Sequence, residues 1–579
     1  MTTSLSKDLR KLLEKVTAAA RTLAESACRA ALENLAVHEK EYRAHMSIEQ
    51  RLLRNRLRAR SRALGDKRDE RSGSHEIHHI TELAAYEHWH RLLFTRFLTE
   101  NHLLITDESN GRIPVTLEEC EELAKDLGAR DGLDLACRFA SRTLPGVFRS
   151  DDPVLDLPIA LNDQVEMRKL LSSLPSEVFR ADDSLGWTYQ FWQAQRKEKI
   201  NKSGKKIGAD ELSPVTQLFT EDYMVEFLLH NTIGAWWAGK KGPITAETEK
   251  EARAQVALDP RDGVGALSWS YLRFVQDEVT KTWLPAAGIF DGWPKTAKLI
   301  RLLDPCMGSG HFLVFALPLL VRLRMEEENL GAQAAVVAVL NDNIHGLELD
   351  ERCTQIAVFN VALTAWKLAG YQLLPALHIA CSGLAPNATK EEWIALAGKT
   401  DRLQRGMARL YDLFADAPVL GSLINPGAFA GDMIDADFHE LEPLLEKALE
   451  QKGTASDMHE IVITASGLAK ATELLASKFT LVATNVPYLS INNFDDILRK
   501  YCVEKFSDSK NDLALVFTER CFNFLSNEGI IAIVTPQGWL FQGRERHIRR
   551  KILPKLSYSK NGTSFKDRNT KKKGNKAKL

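Results

Sequence analysis

Eight cysteines lie scattered through 579 residues, from Cys28 to Cys521, and no two form a C-x-x-C pair. This scatter excludes a zinc ribbon and a disulfide framework, and a reduced, cytoplasmic setting is expected. No run of about 18 apolar residues occurs and the N-terminus lacks an apolar signal core, so neither membrane insertion nor export is expected. Net charge is almost absent: 76 Lys and Arg against 77 Asp and Glu leave −1, which gives no global nucleic-acid signal. Proline is missing from residues 1–65, and no internal repeat is found.

What is present is ordinary globular material, 44% apolar and 26% charged, in a chain too long for one core. The texture divides it into a mainly helical region 1–180, a helical region 181–295, an alternating region 296–554 and a basic tail 555–579. Residues 1–65 have the composition and spacing of long helices. Within them Gln50–Arg62 carries six arginines in thirteen residues, a density that marks either a solvated face or a phosphate-facing one. Asp66–Ser74 reads as an exposed linker; helical patterns resume through Glu100, over Thr116–Leu127 with Thr116 as N-cap, and over Gly132–Arg142.

From Leu185 the sequence becomes aromatic, then lysine-rich over Arg196–Lys206. Thr216–Tyr223 leads into an amphipathic helix, with Thr220 expected as its N-cap and Met224, Phe227, Leu228 and Ile233 on its buried stripe. Farther on, strand-like runs at Leu299–Leu303, Ile344–Leu349, Leu377–Cys381, Phe479–Thr484 and Gly529–Thr535 alternate with helical patterns. That alternation predicts an α/β fold with a doubly wound parallel sheet. The tail is rich in lysine and poor in core material, so disorder is expected, and its abrupt onset predicts a chain cut short relative to its natural length.

Two turns carry chemistry. Asp304-Pro-Cys306-Met-Gly308-Ser309-Gly310 follows the first strand of that region and opens a helix from His311 to Leu323. Ligands of such sheets bind beyond the carboxyl ends of strands, where glycines allow close backbone approach. The loop lacks the Gly-Lys-Ser/Thr of a triphosphate site, and acidic Asp304 suits a cationic sulfonium bearing an amino-acid group better than phosphate. The next strand ends in Gly346-Leu-Glu348-Leu-Asp350, where Glu348, with Asp350 beside it, is placed to accept both ribose hydroxyls of a nucleoside.

The second turn, Asn485-Val486-Pro487-Tyr488, ends a buried strand. The amine of adenine is a poor nucleophile because its lone pair is delocalised into the ring. An Asn oxygen and a main-chain carbonyl, such as that of Val486, could accept both amine hydrogens and expose the lone pair. Tyr488 would stack on a base flipped out of the duplex.

In this order, Asp-Pro-x-x-Gly-Ser-Gly-x-Phe, Gly-Leu-Glu-Leu-Asp and Asn-x-Pro-Tyr resemble the motifs of adenine-specific DNA methyltransferases. With Leu185-Gly-Trp-Thr-Tyr-Gln, Lys510–Phe517 and Thr535–Leu540, the chain is similar over roughly 180–550 to the large methylases of phage-defence islands, the PglX type of BREX systems and the DISARM methylase. The resemblance implies a Rossmann-like S-adenosyl-L-methionine-dependent core with a helical N-terminal region, acting on double-stranded DNA with a flipped adenine alongside other defence proteins. Thr216–Thr220 with Asp222-Tyr-Met resembles the family's upstream cofactor motif, which implies that Phe219 and Thr220 lie near the methionine part. Two positions depart from the family pattern. Val486 replaces the first proline of Asn-Pro-Pro-Tyr, and Cys381-Ser382-Gly383 stands where an Asp often meets the cofactor's adenine, leaving Ser382 as the candidate there.

Other readings compete. His75-Glu-Ile-His-His79 fits H-E-x-x-H, the zinc pattern of metalloproteases, but leaves the α/β half unexplained. No Asp…Glu-x-Lys pattern supports a nuclease in residues 1–180. A truncated, idle methylase that binds cofactor or DNA as a scaffold is an alternative, as is methylation of a protein glutamine or an RNA base.

Overall fold

The computed structural model describes residues 4–69, 71–106, 113–149, 152–218, 220–386, 388–398, 400–429 and 456–552, of which 428–429 and 456–461 as backbone only, together with the backbone of 559–560 and 563–564. Phe219 and nearly all of the tail lie outside these residues. The chain splits into two compact units: Met1–Arg196 with Pro386–Thr400 and Pro443–Ser466, and Lys197–Ala385 with Asp401–Glu442 and Gly467–Leu579.

In the first unit, helix α1 (Lys7–Asn34) starts where the Ser6 hydroxyl accepts the N–H of Leu9 at 3.3 Å. It buries Leu13, Val16, Ala20, Ala24, Ala27 and Ala31, a stripe at three- and four-residue spacing whose alanines let a neighbouring helix approach closely. Helix α2 (Ile48–Ala63) opens with a capping box between Ser47 and Gln50. Its arginines do not form one solvated or phosphate-facing row. Arg54 donates to the carbonyls of Ala36 at 2.9 Å and Glu39 at 2.6 Å, Arg58 to that of Val37 at 2.9 Å, and Arg60 pairs with buried Asp152 at 3.1 Å. The physical reason is that the chain leaving α1 carries carbonyls with no helical partner, and arginine reaches them while burying its stem. Of the six, only Arg62 is exposed, with Arg51 and Arg56 partly covered. Arg54→Ala is therefore expected to lower stability by about 2–4 kcal/mol through stranded carbonyls, read as a fall in thermal midpoint; an unchanged midpoint would contradict this role.

Helix α3 (His78–Glu100) is capped from outside: buried Asp66 accepts the N–H groups of His79 at 2.8 Å and Ile80 at 3.0 Å. The segment expected as an exposed linker thus begins with a buried carboxylate, because a first helical turn needs acceptors. His75 precedes α3, so His75 and His79 do not share a helical face, and no metal-holding group of His, Cys, Asp or Glu occurs among the described residues.

The second unit is built on five parallel strands, β1 (Leu302–Asp304), β2 (Ile344–Glu348), β3 (His378–Cys381), β4 (Phe479–Asn485) and β5 (Leu525–Val534), in the order β3-β2-β1-β4-β5. Leu302, Leu303, Leu347, Leu481 and Val482 are wholly buried, as expected of strands covered by helices on both faces. β1 starts later than the apolar run suggested because Ala297–Leu299 make a 3-10 turn and Leu299 is exposed. Leu303 pairs with His345 on one side and Val482 on the other, so the chain winds outward in both directions from β1. The crevice at such a switch point lies beyond the carboxyl ends of β1 and β4.

Helix α4 (Ala209–Thr216) and helix α5 (Asp222–Leu229) precede the sheet in sequence. α5 buries Val225 and Leu229, continued by Ile233, whereas Phe227 is 44% exposed and Met224 and Leu228 only partly covered. The expected stripe is corrected here: every residue from Tyr223 to Leu229 except Glu226 is apolar or aromatic, so periodicity could not choose a face. Among the described residues no helix is long and apolar enough to cross a membrane.

Candidate active site

Between β1 and helix α6 (His311–Glu328) the backbone turns through Gly308 at φ +54 and Gly310 at φ +83. A Cβ on Gly310 would also come within 3.1 Å of Ala357, so both backbone and packing call for glycine. The loop is tied to its neighbours: the Cys306 N–H donates to Asp304 at 3.1 Å, the Met307 N–H to the carbonyl of Leu347 at 3.0 Å, and Asn360 to the carbonyl of Ser309 at 3.2 Å. Glu348, at the end of β2, accepts the N–H of Gly308 at 2.9 Å and that of Asp350 at 3.1 Å. Two carboxylates are therefore enclosed beneath one loop. Burial raises Asp304 to about 7, against the N–H of Cys306, and raises Glu348 to about 7, against the N–H of Asp350.

The loop forms one wall of a cleft that opens to solvent. Pro305, Cys306, Gly308, Glu348 and Leu349 line it from the first half of the sheet, Asn485, Val486 and Pro487 from β4. Leu212, Ser213 and Thr216 of α4, with Gln217 and Leu218 after it, close another side. Ser213 donates to Asp350 at 2.8 Å, and Gln217, also in the lining, donates from Nε2 to the Cys353 sulfur at 3.4 Å. Its Oε1 is buried with no hydrogen-bond partner among the described residues.

At the end of β4 the side chain of Asn485 is held from both ends. Its Nδ2 donates to the Thr220 hydroxyl at 3.0 Å, and its Oδ1 accepts from the Tyr488 hydroxyl at 2.7 Å. Thr220 is thus not the N-cap of α5; Glu221 occupies that position, and the Thr220 oxygen is used by the amide instead. An amide has two unlike ends, and a hydroxyl acceptor on Nδ2 turns Oδ1 toward the turn. Burial and then Asp512 raise Tyr488 to about 12, so its phenol keeps its proton.

The comparisons with known proteins fall on this region. Residues 342–565 match the Eco57I restriction-modification methylase family. The match takes in Glu348 and the Asn485–Tyr488 turn. The chain is 24% identical over 526 residues to the adenine-specific methyltransferase PglX of Lacticaseibacillus casei (strain Zhang), covering 82% of this chain and 41% of that protein. It is also 24% identical over 450 residues to the adenine-specific methyltransferase BrxX of Escherichia coli O9:H4 (strain HS), covering 73% and 35%. The chain thus spans 41% and 35% of the length of these curated relatives. Among solved structures it is similar to the protein of a DrdV–DNA complex at 12% identity, with a TM-score of 0.43 and coverage of 94% of this chain and 37% of that one.

Against this geometry the predicted residues separate into four groups. Cys306, Gly308, Glu348, Asn485, Val486 and Pro487 line the cleft. Asp304, Ser309, Gly310, Asp350, Thr220 and Tyr488 stand behind it, bonded to lining residues or shaping the loop. Ser382 is wholly buried, its hydroxyl donating to the Glu348 carbonyl at 3.1 Å and meeting Ser422 at 3.1 Å. Phe219 lies outside the described residues. The sequence reading missed Ser213, Gln217, Leu349 and the stretch Val419–Ser422, which also line the cleft. The last comes from far along the chain between β3 and β4, and no motif marks it.

Proposed function

We propose that this chain transfers a methyl group from S-adenosyl-L-methionine to the exocyclic amine of adenine in double-stranded DNA. The observation that carries the reading is the shared cleft: the glycine loop after β1 and the Asn485 amide after β4 line the same cavity at the switch point of the sheet. The Eco57I match and the likeness to PglX and BrxX support it.

The residues present fit the cofactor. Gln217 Oε1 is a buried acceptor without a donor among the described residues, and Glu348 and Asp304 are carboxylates confined where burial penalises their charge; an ammonium, a sulfonium and ribose hydroxyls would answer each need. When bound, the cofactor supplies an electrophilic methyl group. Glu348 would accept from the ribose hydroxyls, while Asp304 holds the loop through Cys306 and adds negative charge beneath it. Asn485 Oδ1 and a main-chain carbonyl of the turn would accept the two amine hydrogens, and Tyr488, released from Oδ1, would stack on the flipped base. The proton shed from the methylated amine passes through these acceptors to water, so no strong base is required. Anti-phage self marking beside other defence proteins is proposed from the resemblance to phage-defence methylases.

Tritium transfer from labelled S-adenosylmethionine to phage or host DNA tests the proposal. Label in N6-methyladenine supports it, whereas cofactor binding without DNA labelling would favour an idle scaffold. Thr220 gives a finer test. Thr220→Val should lower kcat about tenfold or more by releasing the amide, and Thr220→Ser should restore most of it; equal activities for all three would remove Thr220 from this role.

A further inference from the structure

Helices α7 (Glu351–Ala369) and α8 (Leu513–Phe524) precede β5, which ends beside the Asn485 turn with Val534 pairing with Asn485; the chain then runs through Pro536–Glu545 into helix α9 (Arg546–Ile552). The loop stays close to the turn. Asp512, the N-cap of α8, pairs through its backbone with Ser490, two residues past Tyr488, and its carboxyl feels the charges of both Glu545 and Arg544.

This segment is firmly anchored. Trp539, Glu545, Ile548 and Ile552 are buried, Arg549 donates to the carbonyl of Trp539 at 2.6 Å and to that of Gln542, and Lys551 pairs with Asp508 at 3.5 Å. On that platform Phe541 stands 80% exposed, the second most exposed large apolar side chain among the described residues. Arg546 and Arg550, one helical turn apart, are also exposed and have no ion pair among the described residues. Arg544, by contrast, is taken up by Glu545 at 2.9 Å and Gln542 at 3.0 Å. Like charges four residues apart repel, and an exposed phenyl ring gains nothing from folding; a fixed loop that keeps both at its rim suits a partner with anions and flat apolar faces. Duplex DNA with one base flipped out offers phosphates together with the uncovered faces of the neighbouring bases.

We propose that Pro536–Ile552 forms a DNA-gripping edge beside the Asn485 turn, with Arg546 and Arg550 on backbone phosphates and Phe541 stacked against the bases next to the flipped one. The inference rests on the adenine-methylation reading for its geometry but is tested by binding. The full chain, its F541A and F541W variants and the double variant R546Q/R550Q are titrated against a fluorescein-labelled 30-bp duplex of random sequence with one unpaired central adenine from 50 to 300 mM KCl, with circular dichroism confirming the fold of each. Losing two phosphate contacts should weaken binding about tenfold or more and flatten the log–log salt slope by roughly 2. F541A should lose about fivefold or more with the slope unchanged, and F541W should bind as the wild type does.

Wild-type affinity and slope in the double variant, or wild-type affinity in F541A, would overturn the proposal and point instead to a protein surface covering this loop. Failure of the wild type to bind duplex would overturn it too. Tritium transfer run in parallel separates the two readings: binding that follows these expectations without any transfer sinks the methylation reading alone, while transfer with all variants binding equally sinks the edge alone.

Discussion

Replacing Asn485 by alanine is expected to reduce methyl transfer by about a hundred- to a thousandfold while the cofactor dissociation constant stays within about twofold. The asymmetry follows from where the side chain sits. Asn485 lines the cleft from β4, across from the loop and Glu348 that would hold the nucleoside, and its own bonds run to Thr220 and Tyr488. Alanine removes the acceptor that would draw hydrogen character from the adenine amine, an interaction worth most when the nitrogen becomes pyramidal at the transition state. It leaves the Gly308–Glu348 contact intact. Single-turnover tritium transfer and calorimetry measure the two quantities separately. Parallel losses in both would mean that Asn485 serves the cofactor rather than the base.

Glu348→Gln is expected to weaken cofactor binding about a hundredfold and to change how binding depends on pH. Glutamine keeps an oxygen for the N–H of Gly308 but cannot offer a charged, two-pronged acceptor to ribose hydroxyls. In the free protein both Glu348 and Asp304 are raised to about 7, chiefly by burial. Below that pH each is mostly protonated, so binding that requires the carboxylate should weaken by up to tenfold per pH unit and per group as pH falls from 7 to 5. The stability of the free fold runs the other way. A carboxyl raised above its unfolded value contributes stability fully present below about 4 and lost as pH rises through about 7, so the melting temperature should fall over that window, less steeply in Glu348→Gln. Binding by the wild type that is flat between pH 5 and 7 would remove ionised Glu348 and Asp304 from cofactor recognition.

Much of this was legible from local pattern. A parallel strand covered on both faces must be nearly all apolar, which is why Ile344–Leu349 and Phe479–Thr484 stood out and lie close to the observed β2 and β4. Glycines at positive φ leave a mark because other residues avoid that conformation, and Gly308 and Gly310 both adopt it. Charge and amphipathicity were less faithful guides. Six arginines in one helix read as a surface, yet Arg54 and Arg58 are turned inward because unpaired carbonyls after α1 needed donors, and Arg60 is turned inward to pair with buried Asp152. A helix apolar on nearly every side gave no face to choose, and Thr220 resembled a cap until the Asn485 amide was found to use its hydroxyl.

The sequence by itself determined the alternating α/β core, the order of the two chemical turns and the identity of their residues, because each depends on neighbours close along the chain. Tertiary structure alone decided that these turns share one cleft, that Gln217 and Val419–Ser422 complete its wall, that Asp304 lies beneath the loop instead of in the lining, and that Thr220 orients Asn485 from 265 residues away. Those are contacts between distant segments. Burial, which raises Asp304 and Glu348 to about 7, is likewise set by what the whole fold packs around a side chain and not by the residues on either side of it.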